Sequence, residues 1–220
     1  IPSAELFPPA LNTAWESHHG LGAWGDKRWL DMPVLEHYFG KIESLEDLVK
    51  YSQLTQSEGL QFIYEEARRQ KPYCSMALNW CFQEPWPSAA NNSLLNWPNV
   101  IKPAYHAVAK ACRPVLASVR APKFSWTKGE AFTGEVFMLN DTHQPLEAGE
   151  AIVTILFDGK EQTLLNWAFA TTKAFENIAG PTARIILPAI KDQFFKIKVA
   201  VKGKPEYTSV YTFLFKDAGK

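Results

Sequence analysis

Cys74-Ser-Met-Ala-Leu-Asn-Trp-Cys-Phe-Gln-Glu-Pro-Trp-Pro87 is the stretch on which the reading of the chain turns. Its first half, Cys74 to Trp80, is apolar or small and carries no charge. Its second half is loop chemistry, with a tryptophan, a carboxylate and two prolines. An uncharged run of this length followed by such a loop reads as a strand buried on both faces. The residues after the C-terminal end of a parallel strand are where a (β/α)8 barrel places its active site. The stretch therefore reads as the last strand of such a barrel, most of which lies outside the chain.

The flanking segments fit that reading. Ser44 to Gln70 is the clearest helix. Leu45, Leu48, Val49, Ser52, Gln56, Leu60, Ile63 and Ala67 recur at spacings of three and four. Ser44 is placed to cap it, with Asp47 three residues on. Arg68, Arg69 and Lys71 complement the negative end of the helix dipole, and Pro72 stops the helix. A helix leading directly into a buried strand is half of a βαβ unit. After a polar loop, Ser88 to Asn99, a second helix is predicted over Lys102 to Cys112, with Pro103 in its first turn. Residues 1–43 are irregular. Pro2, Pro8, Pro9 and Pro33 forbid one long helix, and Gly20, Gly22, Gly25 and Gly40 mark turns.

From Val115 the texture changes to short strands with regular turn signals. The predicted strands are Val115–Phe124, Glu130–Asn140, Ala151–Phe157, Glu161–Ala170, Thr182–Leu187, Phe194–Val201 and Tyr207–Phe215. Phe195, Ile197, Val199 and Val201 alternate with Lys196, Lys198 and Ala200, and Asp158-Gly159 is a hairpin signal. Seven such strands suggest an immunoglobulin-like sandwich over 113–220. The fold expected is α/β plus all-β, with a barrel fragment over 1–112 and the sandwich after it.

Composition narrows the function. The 220 residues carry 23 basic and 23 acidic side chains. Zero net charge with no basic cluster argues against a nucleic-acid partner, and no apolar run is long enough to span a bilayer. Six of the eight tryptophans, Trp15, Trp24, Trp29, Trp80, Trp86 and Trp97, fall in the first half. They serve packing or, near loops, stacking on sugar faces. Cys74, Cys81 and Cys112 are too few for a disulfide framework, fit no zinc spacing, and read as small buried hydrophobes. His18 and His19 have no second ligand set at a suitable spacing and read as surface or loop residues. No metal and no cofactor is implied.

Four segments in order carry a resemblance: Gln-Ser-Glu-Gly-Leu-Gln at 56–61, Glu-Glu-Ala-Arg-Arg at 65–69, Leu-Asn-Trp-Cys-Phe-Gln-Glu-Pro-Trp-Pro at 78–87 and Lys-Pro-Ala-Tyr at 102–105. Over residues 44–116 the chain resembles the C-terminal third of family 2 glycoside hydrolases. The β-mannosidase-like and exo-glucosaminidase-like branches fit better than the β-galactosidase branch. The resemblance implies a retaining exo-β-glycosidase, in which a (β/α)8 barrel carries a glutamate acid/base after its fourth strand and a glutamate nucleophile on its seventh. The nucleophile of the family sits in a Ser-Glu-aromatic-Gly segment, and Ile1-Pro2-Ser3 is similar to the residues that follow it. Both catalytic glutamates are therefore expected upstream of Ile1, and the chain alone is expected to be inactive.

Site residues follow from the same resemblance. Trp80 matches the tryptophan at the end of the eighth strand, in the floor of the subsite for the cleaved sugar. Gln83, Glu84 and Trp86 are further substrate-binding candidates, Glu84 as a bond to its own loop or to a sugar hydroxyl. Retaining hydrolysis needs two carboxyls about 5 Å apart. Glu5 and Glu84 are rejected as that pair, because neither matches a family catalytic position. The expected partners are a β-linked oligosaccharide or glycoside and the rest of the parent glycosidase, with no membrane partner. The compartment is open, periplasmic or secreted being favoured for a bacterial parent. A barrel fragment exposes apolar surface, so self-association or incomplete order is expected within residues 1–112. The competing reading is a binding module whose sandwich recognises a glycan or a protein through Trp126 or Trp167. A complete small hydrolase with a Ser or Cys nucleophile is the weakest reading, since the chain has no Gly-x-Ser-x-Gly elbow and no Cys with a convincing His partner. Asn91-Asn92-Ser93 and Asn140-Asp141-Thr142 are glycosylation sequons.

Overall fold

Ser44 does what its position predicts. Its Oγ accepts the Asp47 backbone N–H at 3.1 Å and opens helix α3, Leu45–Arg69. The computed structural model describes residues 1–22 and 29–217. Trp24 and Gly25 lie outside the described residues. Two compact units are present, one of Ile1–Gln61 with Ala77–Ala109 and one of Phe62–Met76 with Lys110–Lys220. The last two turns of α3 thus belong with the strand-rich unit.

In the first unit a core of Trp15, Leu21, Leu30, Leu35, Ile42 and Leu48 gathers the N-terminal segment. Short helices α1 (Ala14–Ser17) and α2 (Met32–Phe39) contribute to it. The prolines led the sequence reading past α2. In fact Asp31 Oδ1 accepts the Val34 N–H at 3.3 Å, Pro33 occupies the first turn where its missing N–H costs nothing, and Gly40 at φ 82° ends the helix. Strands β1 (Leu95–Asn96) and β2 (Val100–Ile101) form a small antiparallel hairpin in the expected loop, and helix α4 (Pro103–Ala111) follows.

The second unit holds two sheets. β3 (Val115–Arg120), β5 (Ala131–Asn140) and β8 (Ile178–Ile186) form one in the order β3-β5-β8. β4 (Ser125–Trp126), β10 (Lys204–Phe215), β9 (Phe194–Val201), β6 (Gly149–Phe157) and β7 (Lys160–Phe169) form the other in that order. All pairings are antiparallel except β4 with β10. In β9 the alternating residues Phe195, Ile197, Val199 and Val201 are buried as the period-2 pattern requires. Asp158 and Gly159 turn β6 into β7 with φ of 49° and 70°, the conformation that favours Asp-Gly. Residues from both sheets share one core, centred on Phe132, Phe195 and Phe213, with ring centroids 5.4–5.9 Å apart. A polar cluster joins the end of α3 to this unit. Glu65 is buried and accepts from the Tyr211 and Ser118 hydroxyls, both at 2.6 Å, and from Arg69 at 3.3 Å.

Two expectations are corrected. Cys74–Trp80 is not a buried strand: it has no regular secondary structure and pairs with no strand among the described residues. Met76, Leu78, Trp80 and Phe82 are 68%, 84%, 75% and 59% exposed. A strand buried on both faces needs neighbours on two edges and two faces, and the described residues supply none of them. The cysteines are not buried hydrophobes either. Cys74 and Cys81 are half-buried, and Cys112 is exposed at the end of α4.

Candidate functional site

The loop after Trp80 is fixed by backbone bonds before any side chain acts. The Leu95 N–H donates to Phe82 O and the Glu84 N–H donates to Leu95 O, each at 3.0 Å, so residues 82–84 lie against β1. The Lys102 N–H donates to Leu94 O at 3.1 Å and closes the hairpin over the same segment.

Glu84 sits at the centre, 3% exposed, with Lys102 at 6%. Its Oε1 lies 3.3 Å from Lys102 Nζ and accepts the Ser93 hydroxyl at 3.2 Å, while Oε2 accepts the Trp97 N–H at 3.2 Å. Lys102 also donates to Asn91 O at 2.8 Å and to Ser93 Oγ at 3.0 Å. Burial pushes the Lys102 ammonium below its ordinary range, and the charge of Glu84 opposes that shift. A buried pair satisfied this fully fixes a conformation more than it adds stability. Of the two roles open to Glu84, bonding to its own loop is the one its contacts occupy. Gln83 is likewise tied, donating to Pro98 O at 2.9 Å and Asn99 Oδ1 at 2.8 Å.

The aromatic residues of the loop point outward. Trp80 and Phe82 are exposed, as are Trp86 and Trp97. Phe82 meets the Tyr105 ring at 6.3 Å, and Trp86 meets the His19 ring edge to face at 4.8 Å. Trp80 and Trp86 thus offer ring surface, while Gln83 and Glu84 hold the loop that carries them. A cleft of about 260 Å³ adjoins the Glu84–Lys102 pair, with Trp15, Gln53, Gln56 and Asn92 in its wall.

Sequence reading missed three contributors. His18 and His19 are brought against Trp86 although 68 and 67 positions separate them from it in the chain. Lys102 stands in the Lys-Pro-Ala-Tyr segment at a helix start, and nothing local signals that it is buried. Glu5 is exposed. Among the described residues no group of three or more His, Cys, Asp or Glu side chains is placed to hold a metal ion. No helix there is long and apolar enough to cross a membrane. In the second unit Trp126 is buried, and Trp167 packs on Gly180, where a Cβ would meet its ring at 2.8 Å. Neither is an open platform. Asn140 of the second sequon is fully buried, its amide donating to Gln144 O and Lys173 O.

The chain is related, over the part compared, to glycoside hydrolases of the family 2 type. It is 33% identical over 91 residues to β-mannosidase B of Aspergillus niger and 32% identical over 91 residues to that of Aspergillus oryzae. Each match covers 38% of this chain and 10% of the relative, so the chain spans about a tenth of the length of these curated relatives. Its fold is similar to part of the β-D-mannosidase of Dictyoglomus thermophilum, with a TM-score of 0.66 and 20% identity over 86% of this chain and 22% of that one. The exo-chitosanase CsxA of Amycolatopsis orientalis gives a TM-score of 0.61 and 20% identity over 83% of this chain and 21% of that one. No family model matches the sequence.

Proposed function

We propose that this chain is the C-terminal part of a retaining exo-β-glycosidase of the β-mannosidase kind. In this reading Cys74–Trp80 is the last strand of a (β/α)8 barrel completed by polypeptide N-terminal to Ile1. Both catalytic glutamates come from there, Trp80 lies under the sugar that is cleaved, and the 220 residues alone do not turn over substrate. The observation that carries the proposal is the exposed alternation of Met76, Leu78, Trp80 and Phe82. Large apolar side chains at every second position fit a strand whose neighbours lie in another part of the protein. The state of the carboxylates supports it: Glu84 is held by Lys102, Ser93 and Trp97, and Glu5 lies in solvent.

The test is an assay of a longer polypeptide that contains this chain, on nitrophenyl β-glycosides of mannose, galactose, glucosamine and glucuronic acid. Release from the β-mannoside with retained anomeric configuration, and none from the 220 residues alone, is the expected result. Turnover by the 220-residue chain, or an inverted product, would overturn the reading.

A further inference from the structure

We propose that Trp86, His18 and His19 form a second pyranose-stacking site, built from residues other than Trp80, that takes a sugar ring on the leaving-group side of the scissile bond. This rests on the exo-glycosidase reading. An exo-acting enzyme removes the terminal sugar, so every further ring of its substrate lies on the leaving-group side.

The site is assembled by contacts that fix each member. Trp86 stands between Pro85 and Pro87, which restrict the backbone on both sides, and it remains 41% exposed. His19 packs edge to face on it at 4.8 Å, and the His18 ring lies tilted at 6.1 Å. His18 Nδ1 lies 2.8 Å from Pro87 O, and the Ala89 N–H donates to His18 O at 2.9 Å. Two bonds therefore bind the histidine turn to the tryptophan loop. A carbonyl only accepts, so Nδ1 of His18 carries a proton in this contact and Nε2 points away from it.

The turn itself has a rigid base. Trp15 is buried, and its indole N–H donates to Leu6 O at 3.0 Å. Gly20 passes so close that a Cβ would lie 2.2 Å from Trp15 Cε3, and only glycine allows that approach. His19 takes a φ of 60° in this turn. A left-handed residue, a close glycine and two inter-loop bonds set two imidazoles beside one indole. Sugar rings are recognised by an aromatic face against their C–H groups and by polar groups at the ring edge for their hydroxyls. Trp86 and the imidazoles supply both. A solely structural histidine pair would satisfy its bonds without leaving the tryptophan open.

The test uses the 220-residue chain and β-1,4-mannobiose and β-1,4-mannotriose as probes, followed through the tryptophan indole N–H signals. Saturable displacement of the Trp86 signal with millimolar affinity is expected. In isothermal titration calorimetry with the same sugars, Trp86→Ala should abolish binding, and His19→Ala should weaken it about three- to tenfold, the range for loss of one aromatic contact. Trp80→Ala should leave it unchanged within about twofold. Unaltered amide signals of Leu48, Leu95 and Lys102 establish that a variant keeps the first unit. Trp86→Phe, which preserves a flat ring, should retain weakened binding and stands in if the alanine variant does not fold. The proposal is overturned if no indole signal moves up to the solubility of the sugars. It is equally overturned if Trp80→Ala removes binding while Trp86→Ala spares it. Failure of the glycosidase reading looks different: the Trp86 signal still responds to sugar, while no longer polypeptide containing the chain cleaves a glycoside.

Discussion

Removing one oxygen atom tests the polar cluster under the sandwich. The Tyr211 hydroxyl is buried, donates to Glu65 Oε2 at 2.6 Å and accepts the Val119 N–H at 3.0 Å. Tyr211→Phe keeps the ring and deletes both bonds. A hydrogen bond to a charged group contributes about 1.5–3 kcal/mol, and a buried amide left unpaired costs about 1–3 kcal/mol. Ser118 and Arg69 still hold Glu65, so the two losses do not add fully, and about 2–4 kcal/mol is expected. Burial and then the Glu65 charge push the Tyr211 hydroxyl well above its ordinary value of 10.0. The sign follows from linkage. The unfolded chain loses this proton above pH 10 and the folded chain keeps it, so the contribution is complete below pH 10 and declines as pH rises further. The assay is urea unfolding of the strand-rich unit by near-UV circular dichroism at neutral pH, with a second series from pH 9 to 11. Tyr211→Phe should lower the midpoint at constant slope and flatten the alkaline decline. A midpoint shift equivalent to less than about 0.5 kcal/mol would refute the inference that Glu65 depends on this hydroxyl.

Glu84→Gln leaves Lys102 buried without its counter-charge, which costs about 3–5 kcal/mol. The loss should appear as faster amide exchange at Leu95 and Trp97 while the β9 amides keep their protection. Met76→Lys combined with Leu78→Lys changes two exposed side chains, so stability should move by less than about 0.5 kcal/mol per site. The self-association expected of an uncovered apolar stripe should fall in sedimentation equilibrium, and a wild-type chain monomeric at every concentration would contradict it. Gly180→Ala places a Cβ 2.8 Å from the Trp167 ring and should lower the thermal midpoint, at a cost of about 1–3 kcal/mol.

The parts of the fold that could be read in advance are those fixed by neighbours in the chain. Ser44 as a cap, Pro103 in a first turn and Asp158-Gly159 as a hairpin each act over four residues or fewer, and each stands where expected. The alternation in β9 needs only one buried face. α2 escaped notice because Pro33 is a breaker inside a helix and harmless in its first turn, and only the Asp31 cap decides between the two. The site was less legible. Arg69 reads as a charge that complements the helix dipole, and nothing local marks Glu65 as buried. Ser118 and Tyr211, 53 and 146 positions further on, make them a buried cluster. His18 and His19 carry no signal of Trp86 in their own surroundings.

The error over Cys74–Trp80 has a different origin, and it bears on function. Composition reports what a segment needs, and the described residues do not meet that need. A run with this composition that belonged to a self-sufficient fold would bury at least one parity of its side chains. Here Met76, Leu78, Trp80 and Phe82, all of one parity, are exposed. The loop that follows is nevertheless fully organised, with Glu84, Ser93, Lys102 and Trp97 bonded to one another. Order in the loop beside exposure in the run fits a segment shaped to receive a partner strand better than a surface segment under no constraint. A surface segment would tolerate Leu78→Asp in every context. The barrel reading requires that the same change be silent in the 220-residue chain and abolish folding or turnover in a longer polypeptide, and equal tolerance in both would refute it.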